Sequence, residues 1–245
     1  MNQKPVMKIL ALARKEIYSY INSPVSYGIA LFFLLFTSIW FFYVQRFFSM
    51  NTATLRPFFA VFPLAFVLVI PVIAMKSWAE EKKLGSIELL MTMPFSEWEL
   101  VLGKFLSSFS ALAIIIGLTI PVPLSVLPMG RFDGGVIVAE YLGTLLLGAS
   151  GIAIGLFLSS LAKNQGGAFL GTATALLVTM LLTQFTQMPA IPVRLAEILN
   201  FFSLSFHFES FTRGVFDTKD AVYFILTTLL FLFLNTRVLL FRKWS

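Results

Sequence analysis

Six stretches of this chain run without a charged side chain for about the length of a membrane-crossing helix: residues 25–45, 57–75, 105–130, 141–162, 164–193 and the shorter 221–236. A hydrocarbon core about 30 Å thick takes roughly 20 helical residues to cross. In lipid every backbone N–H and C=O must be satisfied within its own segment, so such runs fold as helices. Composition removes the alternative of a soluble helical core. With 58% hydrophobic residues, 28 Phe and only 12% charge, 245 residues carry more apolar side chains than one soluble domain can bury. The expected fold class is an all-α membrane protein with six transmembrane helices, in one domain spanning residues 1–245.

Charge distribution sets the orientation. With the N-terminus in the cytoplasm, 12 Lys/Arg lie inside (Lys4, Lys8, Arg14, Lys15, Lys76, Lys82, Lys83, Lys104, Lys163, Arg237, Arg242 and Lys243) and six outside. The outer six are Arg46, Arg56, Arg131, Arg194, Arg213 and Lys219. The positive-inside rule therefore puts both termini and the loop between spans two and three on the cytoplasmic face of the membrane. The formal net charge of +6 thus reports topology and calls for no nucleic acid. The chain has no cysteine and one histidine, which excludes disulfides, thiolate metal sites and a multi-histidine centre within one copy.

Residues 6–23 space Val6, Ile9, Leu10, Ala13, Ile17, Tyr20 and Ile21 as one helical face, with Lys8, Lys15 and Ser19 on another. They read as an interfacial helix that Pro24 ends, and the first apolar run as a retained span rather than a removed signal. Pro63 and Pro71 are expected to kink span two. Gly151, Gly155 and Ser159 in span four, and Gly167, Gly171 and Ala175 in span five, form small-residue stripes suited to close helix packing. Residues 188–220 hold apolar side chains at helical spacing beside Arg194, Glu197 and His207, and read as two short re-entrant helices. Asp217 and its neighbours provide an N-cap for span six.

Searching for chemistry returns mostly negatives. The one Gly-Lys pair, Gly103-Lys104, has Trp98 where a phosphate-binding loop needs its first glycine and Phe105 where it needs a hydroxyl, so the chain is not expected to hydrolyse ATP. Gly148-Ala149-Ser150-Gly151 resembles the G-x-S-G motif of rhomboid intramembrane proteases. A serine nucleophile there needs a histidine within hydrogen-bond reach, and His207 is expected near the outer surface as an interfacial polar tip. The spans hold no ionisable group except Glu140 and Arg237 at their margins, which argues against a proton-coupled carrier.

The exception is a charged island between spans two and three. Nine charged side chains fall in 76–104: Lys76, Glu80, Glu81, Lys82, Lys83, Glu88, Glu97, Glu99 and Lys104. Residues 79–93 read as one cytoplasmic helix with Gly85 as a weak point and Pro94 ending it. On it Leu84, Ile87, Leu90 and Met91 share one face, and Glu81, Gly85 and Glu88 another. The apolar stripe needs a cover of lipid headgroups or protein.

This island resembles the coupling helix of ABC-2 type exporter permeases, through Glu80, Glu81, Lys82, Gly85, Glu88, Leu89, Leu90 and Pro94, with Val101-Leu102-Gly103-Lys104 leading into span three. The resemblance implies docking of these residues into a separate ABC ATPase subunit, present in two copies, which binds the ATP; this chain needs no cofactor of its own. It also implies a second permease copy or paralogue. Residues 206–224 resemble the permeases of gliding-motility-type systems, in which an auxiliary membrane protein with a periplasmic domain is implied. Two other readings stay open: a subunit that relays hydrolysis to periplasmic partners without moving a solute, and an intramembrane serine protease.

Overall fold

The computed structural model of the chain describes residues 5–49, 54–93, 95–130, 132–188 and 191–243, and every regular element among them is helical. Six helical stretches are long and apolar enough to cross a membrane: Pro24–Ser49, Arg56–Leu84, Glu97–Met129, Gly134–Leu161, Gln165–Thr186 and Thr218–Phe241. The chain is therefore a multi-pass membrane protein.

Before the first span lies α1 (Pro5–Ile21); span one is α2 (Pro24–Ile39), which loosens into a π turn at Trp40–Val44 and a 3-10 turn at Phe47–Ser49. Span two is built from α3 (Arg56–Phe59), α4 (Phe62–Met75) and α5 (Trp78–Leu84), and α6 (Ser86–Thr92) follows it. Span three is α7 (Glu97–Gly117) with α8 (Pro121–Val126). Spans four and five are α9 (Gly134–Leu161) and α10 (Gln165–Thr186). Two short helices, α11 (Val193–Phe202) and α12 (Leu204–Thr212), precede span six, α13 (Thr218–Lys243).

Charge-free runs locate these helices, but capping residues set their ends. Asn164, read as the start of span five, is its N-cap, its Oδ1 accepting from Gly167 N at 2.7 Å. Ser96 and Glu99 form a reciprocal capping box that starts α7 well before the apolar run, and Asp133 and Asp217 accept from Gly135 N and Lys219 N in the same way. Span five stops at Thr186 rather than Val193. Apolar composition continues past the helix, but Pro192 lacks an amide hydrogen and instead opens α11.

The two prolines read as kinks in span two occupy different kinds of position. Pro71 lies inside α4, whereas Pro63 sits in its first turn, after a break at Ala60–Val61. A helix start tolerates proline because its missing N–H would be unpaired there anyway. Pro121 does the same for α8, which restarts span three after α7 ends at Gly117, where the apolar pattern alone presents one run.

Spans two and four form the centre of the bundle. Of their most apolar windows 72% is buried, against 17 to 33% for the other four. Close approach to α9 depends on missing side chains. A Cβ on Gly151 would come within 2.6 Å of Ile70 Cδ1, and one on Gly155 within 2.7 Å of Ala74 Cβ and 3.1 Å of Thr172 Cγ2. Gly148 meets Leu112 of span three in the same manner, and Gly143 meets Phe211 of α12. In span five, Gly167 faces its own N-cap and Gly171 faces open space, so packing within one chain does not account for Gly171. Fully buried Phe33, Phe41, Phe58, Phe59, Phe62 and Phe66 join spans one and two, largely edge to face, as at Phe33–Phe62 with ring centroids 5.1 Å apart.

Candidate functional site

The island lies where span two leaves the bundle. Glu80 and Glu81 in the first turn of α5 and Lys82 and Lys83 in its last match the helix dipole at both ends. Gly85 then adopts φ +68°, a left-handed conformation that closes α5 and opens α6. The expected single helix over 79–93 is thus two helices. Glycine reaches this region without a Cβ clash, so the residue read as a weak point is the break itself.

That break separates residues which one continuous helix would align. Glu81 turns inward, and its Oε1 accepts from Lys104 Nζ at 2.8 Å; Glu16 of α1 lies 3.4 Å from the same nitrogen. Lys104 is 1% exposed, and its ammonium also sits 4.9 Å from the ring centre of buried Trp78. A charge this deep requires partners, and it receives them from α1 and α5 together. The Glu81, Gly85 and Glu88 face therefore does not exist as one surface: Glu81 belongs to the interior, while Gly85 and Glu88 are exposed.

Lys82 also points away from solvent. Its Nζ donates to the carbonyls of Ser160 and of Ala162, the latter at 2.8 Å, while Ser159 Oγ accepts from Ala79 N at 3.2 Å. The C-terminal carbonyls of α9 have no partners within their own helix, and a lysine is well suited to satisfy them. On the other side, Tyr20 of α1 donates to the carbonyl of Ile73 at 2.9 Å. Burial pushes the Tyr20 hydroxyl well above its usual range, so it remains a neutral donor. A pocket of about 200 Å³ lies between α1 and the island, lined by Lys15, Glu16, Tyr20, Lys76, Glu80 and Glu81 among others.

What remains outward is compact. Lys83, Leu84, Gly85, Glu88, Thr92 and Met93 are exposed, Leu84 at 71%, whereas Leu90 is buried. The apolar stripe read across Leu84, Ile87, Leu90 and Met91 is accordingly divided between surface and core. Pro94 and the side chains of Leu89 and Met91 lie outside the described residues.

The protease constellation is not assembled. Ser150 Oγ donates to the carbonyl of Leu147 at 2.8 Å, while both ring nitrogens of His207 are engaged elsewhere. His207 is buried instead of forming an interfacial tip. Its Nδ1 lies 2.7 Å from Asp220 Oδ1, its Nε2 3.2 Å from the carbonyl of Phe201, and its ring stacks on Tyr223 at 3.7 Å. Ser210 donates to the other oxygen of Asp220, so α12 is fastened to the start of span six. Spacing alone could not reveal this pair, because its members lie on different helices. Among the described residues no group of three or more His, Cys, Asp or Glu could hold a metal ion.

A family model described as "ABC-2 family transporter protein" matches residues 10–243, nearly the whole chain. No curated protein matches it.

Proposed function

The chain belongs to the ABC-2 family of transporter proteins, and from that membership we propose that it is the permease of an ATP-driven exporter whose motor is a separate ATPase. Two ATPase copies bind and hydrolyse the ATP, and a second permease copy or paralogue completes the membrane part. The orientation is the one that lysine and arginine favour, with both termini and the island in the cytoplasm. In this reading α1 is the interfacial helix and α11 and α12 are the re-entrant pair.

One arrangement carries the proposal. The island exposes a lip at Leu84, Gly85 and Glu88, while α5 behind it is tied to span four through Lys82 and Ala79, and to span three and α1 through Glu81. Motor closure against the lip moves α5 as a unit. Because α5 continues span two and caps span four, the thrust enters the two central spans directly. Packing between α4 and α9 is too close for cargo to pass within one chain, so the path runs between permease copies along the more exposed spans. Docking thus falls to Glu88, Gly85 and neighbouring exposed side chains; Glu80, Glu81 and Lys82 transmit.

Reconstitution of the chain with its ATPase tests this directly. Glu88→Ala should lower permease-stimulated ATP hydrolysis while leaving assembly of the six spans intact, and unchanged stimulation would remove the lip from the motor interface.

A gliding-motility-type system with an auxiliary periplasmic subunit remains the subgroup reading, resting on residues 206–224. The relay alternative, in which no solute moves, draws on α12. That helix is seated on span four at Gly143 and fastened to span six by His207–Asp220, so movement of the central span reaches the outer face. Hydrolysis that rises with an added solute favours export. Hydrolysis that rises only with the auxiliary subunit favours the relay.

A further inference from the structure

Glu140 lies in the second turn of α9, at the end of the bundle opposite the island. The residue is 0% exposed, and among the described residues neither carboxylate oxygen has a hydrogen-bond partner. It contributes to a recess of about 200 Å³ whose other walls are Thr54, Leu55, Phe132, Asp133, Val136 and Ile137. Arg56 acts on Glu140 through space, but its Nε is committed to the carbonyl of Thr212 at 2.9 Å. A buried, unpaired carboxylate is costly, and natural structures retain such groups mainly where a counter-ion binds or a proton moves.

We propose that this recess binds an organic ammonium ion, with the Glu140 carboxylate as its counter-ion and Leu55, Phe132, Val136 and Ile137 enclosing its alkyl part. The donor set argues for an ammonium over a hard metal ion. Among the described residues Asp133 and Glu140 are the only carboxylates in the lining, and Asp133 Oδ1 is already occupied as the N-cap of α9; calcium or magnesium takes six or more oxygens. Four apolar walls suit a carbon chain, and Phe132 adds an aromatic face that can attract a cation. Away from water the ion pair gains strength, because the surroundings screen it less.

The recess also adjoins the turn that leads into span six. Gly214, at φ +75° in the turn after α12, packs so closely on Val136 that a Cβ there would lie 2.6 Å from Val136 Cγ2. An occupant that shifts Val136 therefore presses on the turn between α12 and span six. Two sources present this chemistry at the outer face in the proposed orientation: the headgroup of an aminophospholipid and a free alkylamine. Recess and island lie at opposite ends, so failure of one assignment leaves the other measurable.

The test uses the full chain purified in a neutral maltoside detergent, with octylammonium as probe and octanol and octanoate as controls. Octylammonium should raise the midpoint of thermal unfolding by about 3 °C or more at saturation, with neither control doing so and with the rise lost in Glu140→Gln. Without ligand, Glu140→Gln should be at least as stable as the parent, since it removes a buried charge without a partner. Equal stabilisation of both proteins, an equal effect of octanol, or strong destabilisation by Glu140→Gln alone would overturn the proposal. Val136→Cys in this cysteine-free chain gives an independent readout: octylammonium should slow its maleimide labelling at least threefold and octanol should not, and equal rates overturn the assignment. Nanodiscs separate the sources. A response present in phosphatidylglycerol and abolished by phosphatidylethanolamine assigns the site to the lipid, and one that survives assigns it to a free amine.

Discussion

Lys104 illustrates how much at this site depends on single atoms. With 1% exposure it lies between Glu81 at 2.8 Å and Glu16 at 3.4 Å, so deleting the ammonium leaves two carboxylates facing each other in a poorly solvated corner. Lys104→Met is expected to destabilise the chain by about 3 kcal/mol, read from denaturant unfolding in detergent, and adding Glu81→Gln should restore part of the loss. The glycines offer a contrast. Gly155→Ala must force Ala74, whose Cβ cannot rotate away, and should cost about 1–3 kcal/mol. Gly171→Ala enters open space and should be neutral or stabilising by up to about 1 kcal/mol, measured the same way. Both glycines belong to four-residue stripes that look alike in the sequence. Only the neighbouring helix decides which of them is a contact, and no local pattern encodes that neighbour.

Elements were legible to different depths. Span count follows from solvation of the backbone, which is why six apolar runs became six helices. Helix ends follow from capping, which is why Ser96 and Asp133 moved boundaries that apolar composition alone had drawn, while Asn164 stayed at the start of span five. The island was visible as charge, but its internal direction was not. One left-handed residue at Gly85 sends Glu81 to the core and leaves Glu88 at the surface. Replacing it forces a Cβ into that conformation at a cost of about 1–2 kcal/mol, and favours one straight helix through 78–92. Gly85→Ala should therefore reduce permease-stimulated ATP hydrolysis about as strongly as Glu88→Ala, although it removes no charge. Full stimulation in Gly85→Ala would mean that the angle between α5 and α6 does not matter. Pairings between distant elements, such as His207–Asp220, lay beyond spacing arguments because they form only once α12 is seated on α9 and α13.

The whole molecule is organised as two buried central spans with contacts of unlike kind at their two ends. At one end Lys82, Glu81 and Tyr20 join α5, α7, α9 and α1 into a block; at the other, Arg56, Phe211 and the His207–Asp220 pair join spans two, four and six through α12. Force applied to the exposed lip of the island thus has a continuous route through span four. The central claim is that this lip is where an ATPase binds. It is tested most directly by placing a cysteine at Leu84, which is 71% exposed in a chain with no other cysteine, and attaching a photo-crosslinker in cells that express the neighbouring genes. The account predicts capture of a subunit carrying a nucleotide-binding phosphate loop, reduced several-fold by Glu88→Ala. Capture of lipid alone, or capture of that subunit undiminished by Glu88→Ala, would contradict it.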